Sequence, residues 1–112
     1  AAARSEGYAL KRGEAEPFHG YFYRILRAQG QSAPGGAYSY LNSDQLMTRG
    51  FALIAWPAKY GASGVMTFMV NQIGAVYEKD LGPKTAEVAA SIATFDPDQS
   101  WELVPAEARA LN

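Results

Sequence analysis

The sequence predicts an α+β fold: an antiparallel sheet of about four to five strands with one C-terminal amphipathic helix packed on it. Three observations predict it. Short apolar runs rich in β-branched and aromatic residues recur along the chain, Gly and Pro close each run, and a single helical period at Val88, Ile92 and Phe95 follows the last of them. The densest stretch is residues 50–82, GFALIAWPAKYGASGVMTFMVNQIGAVYEKDLG. Its side chains are committed mostly to packing, with few left over for chemistry.

Residues 1–16, AAARSEGYALKRGEAE, mix small and charged residues, and Gly7 and Gly13 interrupt any helical period. They read as a leader or the end of a preceding element, ahead of a single globular domain over 17–104 and a tail over 105–112. The first strand starts after Pro17, where Tyr21, Tyr23 and Ile25 share one face and Phe22, Arg24 and Leu26 the other. Residues 29–45 have no clear period, and Ala33-Pro34-Gly35-Gly36 carries turn chemistry. A loop of that length is expected to be functional or mobile. Tyr38 and Tyr40 follow on a short extended piece.

Residues 49–56 are apolar on both faces, which suits a central strand, and Pro57 ends it because proline cannot donate to a ladder. The turn at 60–64 leads into a strand over 65–71, in which Met66, Phe68 and Val70 share one face. A short hairpin connection at 71–74 returns the chain as a strand over 75–79. Pro83 then fits the first turn of a helix over 83–94, and Asp96-Pro97 stops it. Trp101, Leu103 and Val104 form a final extended segment that packs back.

Composition excludes several function classes. Ten basic and eleven acidic residues leave a net charge of −1, so no basic face is available for nucleic acid. No apolar run reaches the roughly 18 residues of a membrane span. Cysteine is absent, which removes disulfides and thiolate metal sites. The chain opens on Ala1, and processing or excision from a longer protein is the expected reason.

Candidate chemistry is sparse. His19 is the single histidine and the one candidate for a catalytic role, with Tyr21 expected on the same face two residues along. No serine or acid is tied to it by sequence, so a hydrogen-bonded structural histidine is the plainer reading. Ser63 with Lys59 makes a formal Ser/Lys pair across a turn. Asp96 and Asp98 alternate as oxygen ligands of a calcium loop would, with Glu107 at the closing position, but Trp101 stands where such a loop needs Gly. Their expected role is to cap and solvate the helix end. Gly35-Gly36 has no following Lys-Ser/Thr, so no phosphate loop is present and no cofactor is expected. The tyrosine-rich set Tyr21, Tyr23, Tyr38, Tyr40, Trp56 and Tyr60 suits either a binding face or the finishing of a thin sheet. Tyr38, Tyr40, Trp56, Tyr60 and the hairpin-tip Ile73 are the candidate binding residues.

The runs PFHGYFYRILRAQG (17–30), APGGAYSY (33–40), GFALIAWPAKYGASGVMTFMVN (50–71) and VYEKDLGPKT (76–85) resemble the C-terminal part of domain-of-unknown-function family 2950, a group of exported bacterial proteins. The resemblance covers residues 6–104. It implies a periplasmic or secreted location and carries no assigned activity; with no reactive cluster assembled in the sequence, the expected function is that of a non-catalytic domain acting through protein or cell-envelope contacts, its partner including the N-terminal part of its own precursor. Members are longer, and at the 71–74 turn Ile73 replaces a small acidic or polar residue. The strand-rich segment is also loosely similar to pilin and pseudopilin globular domains, although residues 1–16 carry no hydrophobic assembly helix. A small hydrolase using His19 and a pilin-like filament subunit are the alternative functions.

Overall fold

The structure is a computed structural model and describes residues 19–105. The leader at 1–16 and the tail beyond Pro105 lie outside the described residues. In chain order the elements are β1 (Tyr21–Leu26), β2 (Ala28–Gln29), β3 (Tyr38–Ser39), β4 (Ala52–Pro57), β5 (Met66–Asn71), β6 (Val76–Asp80), α1 (Thr85–Ser91) and β7 (Glu102–Leu103). Five strands form one antiparallel sheet in the order β1-β4-β5-β6-β7, and β2 and β3 pair separately. This is a small α+β fold. Among the described residues no helix is long and apolar enough to cross a membrane.

The sheet register sorts the side chains into two faces, because successive residues of a strand point to opposite sides. On one side lie Leu26, Ala52, Ile54 and Met69, which are buried together with Tyr40, Ala89 and Phe95. β4 sits between β1 and β5, as its two-sided apolar sequence requires. Burying Phe95 alone is worth about 1.5–3 kcal/mol.

Two expectations are corrected. The helix covers Thr85–Ser91 and not 83–94, and it turns Thr85 and Ala89 inward, while Val88 is 38% exposed. Small residues at i and i+4 let the helix lie close against β4. The chain leaves the helix at Ile92, whose φ of −82° and ψ of 115° are extended. Phe95 is therefore not on a helical face at all: its N–H donates to the Ala28 carbonyl at 2.9 Å, and its carbonyl accepts from Gly30 at 3.0 Å. Strand-like pairing with β2, and not helix amphipathicity, delivers this ring to the core.

Residues 29–45, expected as a functional or mobile loop, are fastened from within. Gln29 is buried, its Nε2 donates to the carbonyls of Pro34 and Gly36 at 2.8 Å each, and its Oε1 accepts the Tyr40 hydroxyl at 2.9 Å. One side chain thereby satisfies three groups that the turn would otherwise leave unpaired.

Candidate functional site

His19 stands outside β1, in a turn with φ of 52°, and is exposed. The two-residue alternation that would align it with Tyr21 begins only at Tyr21, so their expected shared face is not formed. The Tyr21 hydroxyl is committed elsewhere, donating to the Met66 carbonyl at 3.0 Å. The Ser63 hydroxyl meets Lys59 through its main chain: Lys59 N–H donates to Ser63 Oγ at 3.0 Å, and Ser63 Oγ donates to the Lys59 carbonyl at 3.4 Å. Both bonds are to the Lys59 main chain, and they close the turn.

Asp96 and Asp98 do not converge. Asp96 Oδ1 accepts from Ser32 N–H at 2.8 Å, while Asp98 Oδ1 accepts the backbone N–H and hydroxyl of Ser100 at 2.8 and 2.5 Å. The expected capping role is not the one their printed bonds serve: the extended chain beyond the helix C-cap at Ile92 carries them to Ser32 and Ser100. Among the described residues no three His, Cys, Asp or Glu side chains gather as metal ligands.

The candidate binding residues are dispersed. Tyr40 is fully buried and has no surface to offer a partner, and burial pushes its hydroxyl pKa up to about 12, with Tyr38 adding to the rise. Tyr38 packs edge-on against Tyr40 at 5.5 Å, with Arg49 over its ring. Trp56 lies on the helix-covered face beside Phe22 and beneath the Arg24 guanidinium. Tyr60 donates to Asp80 at 2.6 Å, a bond that raises the Tyr60 pKa. Ile73 alone stands well out, at 73% exposure.

One polar array escaped sequence reasoning. Lys79 Nζ donates to Ser100 Oγ at 2.7 Å, Ser100 Oγ donates to Asp98, and the ammonium lies 5.9 Å from the Trp101 ring centre. The order Lys–Ser–Asp invites a nucleophile reading. The chemistry opposes it: the two Ser100 bonds, with Lys79 nearby, hold the Asp98 carboxyl below the usual carboxylate range, so it is a poor acceptor for the serine proton. The array is a brace that joins the approach of β7 to β6. Only the local Asp98-x-Ser100 spacing was visible beforehand; Lys79 arrives through sheet pairing.

The sheet face opposite the helix is the larger feature. Register aligns Tyr23, Ala55, Phe68, Glu78 and Glu102 in one row across the strands, and Ile25, Leu53, Val70 and Val76 in the next. Among the described residues no helix lies over these rows. The β4–β5 connection closes only the corner at Tyr21, where Gly64 packs against the Tyr21 ring. Ile25 is 43% exposed, and Phe51 at 39% continues the same alternation one residue ahead of β4. Phe51 is tied to the 71–74 turn by its N–H, which donates to Gln72 Oε1 at 3.2 Å, so Ile73 stands nearby at the end of the face.

No curated protein and no solved structure matches the chain. The profile of a family described as protein of unknown function, DUF2950, matches residues 1–104, in agreement with the runs that resembled it. With most of its length matched, the chain belongs to the DUF2950 family.

Proposed function

We propose that this is a non-catalytic domain of an exported, periplasmic or secreted bacterial protein, and that it works through contacts with a protein or envelope partner, the preceding part of its own precursor included. The observation that supports this reading is the half-closed sheet. An amphipathic layer normally buries its apolar face against a second layer, and here no described helix lies over Ile25, Leu53 and Val70. The hydrolase reading has less behind it, since His19 and Tyr21 do not share a face and Ser100 faces a weak base. The filament reading rests on the loose pilin likeness alone.

An apolar-surface dye tests the contact reading. The native chain should bind 8-anilinonaphthalene-1-sulfonate with unchanged circular dichroism, and a Leu53→Thr/Val70→Thr variant should bind distinctly less. A native chain that leaves the dye dark would refute the open face. Ester hydrolysis abolished by His19→Ala would put the enzyme reading in its place.

A further inference from the structure

Ile73, at 73% the most exposed large apolar side chain among the described residues, stands near two arginines that have no ion pair among those residues. Leu26 pairs with Ala52 and Ala52 with Asn71, so the next row outward sets Arg27, Phe51 and Gln72 side by side at the end of β1, β4 and β5. Arg49 precedes Phe51 by two residues, and its main chain lies beside that of Arg27 across Tyr40: Arg49 N–H donates to the Tyr40 carbonyl at 3.0 Å, and Tyr40 N–H to the Arg27 carbonyl at 2.9 Å. Both arginines are exposed. Between residues 19 and 77 the sequence has Arg24, Arg27, Arg49 and Lys59 against the one acid Asp44. Arg24 is committed to the Ala89 carbonyl, and Lys59 lies beyond the far end of β4, so Arg27 and Arg49 are the cations of this end. Asp96, which Phe95 brings toward β2, accepts from Ser32 N–H.

The β5–β6 turn holds Ile73 out. Asn71 is buried, and its Oδ1 accepts from Ile73 N–H at 3.2 Å and from Ala75 N–H at 3.1 Å, while Gly74 N–H donates to the Asn71 carbonyl at 2.9 Å. The polar side chain of the tip is tied back, since Gln72 Oε1 accepts from Phe51 N–H at 3.2 Å. An aliphatic group is left at the apex, with Phe51 behind it at 39% exposure. The tip is ordered before any partner arrives, so docking it costs little conformational entropy.

Shape and charge select the occupant. A protein interface of about 800 Å² per partner has an apolar core wider than one isoleucine and part of a phenylalanine ring. A bilayer sets no such minimum: its boundary between headgroups and acyl chains accepts a single protruding apolar group, and its anionic headgroups attract the cations beside it. Guanidinium groups match phosphate geometry, and two of them are too few for nucleic acid, where affinity grows with the number of phosphates neutralised. Resting on the contact reading above, with the envelope as partner, we propose that this end of the sheet docks on an anionic membrane surface. Ile73, and Phe51 after it, enter the boundary layer, and Arg27 and Arg49 lie on lipid phosphates. Association is reversible and weaker than that of a single acyl chain, about 10⁴ M⁻¹.

The test uses the whole chain, isotopically labelled, and sucrose-loaded vesicles of phosphatidylcholine alone or with phosphatidylglycerol added. The chain should bind the anionic vesicles roughly tenfold or more tightly than the neutral ones, since each cation near the surface contributes about fivefold. A spin-labelled lipid should broaden the amides of Phe51, Gln72 and Ile73 first. Arg27→Gln/Arg49→Gln should bring the two vesicle types within about threefold of each other, and Ile73→Ser should weaken binding to the anionic ones about fivefold or more, both with unchanged circular dichroism. Broadening centred elsewhere, or binding that Ile73→Ser leaves unchanged, would overturn the proposal. So would glycerol phosphate that shifts the Arg27 and Arg49 amides as fully as vesicles do, which would mark a small-anion site. Self-association of the free chain that Ile73→Ser abolishes would make a second copy the occupant and overturn it too. No sedimentation in about 5 mM anionic lipid, while the native chain still binds the apolar-surface dye, would overturn the membrane and leave the contact reading standing. Loss of both signals would overturn both.

Discussion

Replacing Gln29 by Met removes a hydrogen-bonding hub at nearly constant volume, and the structure sets the size of the effect. Three bonds are lost, to Pro34, Gly36 and Tyr40, at 2.8, 2.8 and 2.9 Å. At about 1 kcal/mol net for each, the sum is about 3 kcal/mol. The Pro34 and Gly36 carbonyls belong to exposed or half-exposed residues and can turn to water, whereas the Tyr40 hydroxyl is sealed at 0% exposure. Its unsatisfied burial costs about 1–3 kcal/mol and keeps the sum from shrinking. Urea unfolding followed by tryptophan fluorescence measures it, and a slope of about 1–3 kcal/mol/M converts 3 kcal/mol into a midpoint lower by about 1–3 M. The partner change Tyr40→Phe should cost less alone, and it should recover about 1 kcal/mol in the double variant, because the orphaned hydroxyl is then gone. A Gln29→Met loss below about 1 kcal/mol, with no coupling to Tyr40→Phe, would refute the claim that this glutamine fastens the 29–45 segment.

Three further outcomes are expected. Tyr40 has a pKa raised from 10.0 to about 12 in the folded state, so the folded chain holds this proton more tightly than the unfolded one. Stability from this group is complete below pH 10 and is lost as pH rises toward about 12, a decline that denaturation of Tyr40→Phe should show flattened. Arg24 Nη2 donates to the Ala89 carbonyl at 2.6 Å in the last turn of the helix; Arg24→Met should cost about 1.5–3 kcal/mol by chemical denaturation, as loss of a charge-assisted bond does. Gly64→Ala should cost about 1–3 kcal/mol in the same assay, since its new methyl would lie 2.8 Å from Tyr21 ring atoms and force the ring from its bond to Met66.

The sheet was legible in the sequence because its information is local. Alternation in 21–26 and 66–71, the two-sided apolar run at 52–57 and the stops at Pro57 and Gly74 are properties of neighbouring residues. The helix was legible in existence and type but not in extent. Val88, Ile92 and Phe95 have helical spacing, yet the competition between a further helical turn and pairing of Phe95 with Ala28 is settled by a partner 67 positions away. The same holds for Gln29, which reads as an ordinary polar residue at a loop edge until the fold brings Tyr40 back over it.

The candidate site followed the same division. Tyr38, Tyr40, Trp56 and Tyr60 are alike in composition, and only packing separates a sealed Tyr40 from a half-covered Tyr60 on Asp80. The sequence alone determined the residue types on each strand, and through the period of two it determined which residues share a face. Tertiary structure decided which face the helix would close, and it set Glu78 against Glu102 at the border of the other. The reason is physical: alternation is imposed by each strand's own backbone, whereas burial and the juxtaposition of charges depend on which strands and layers meet.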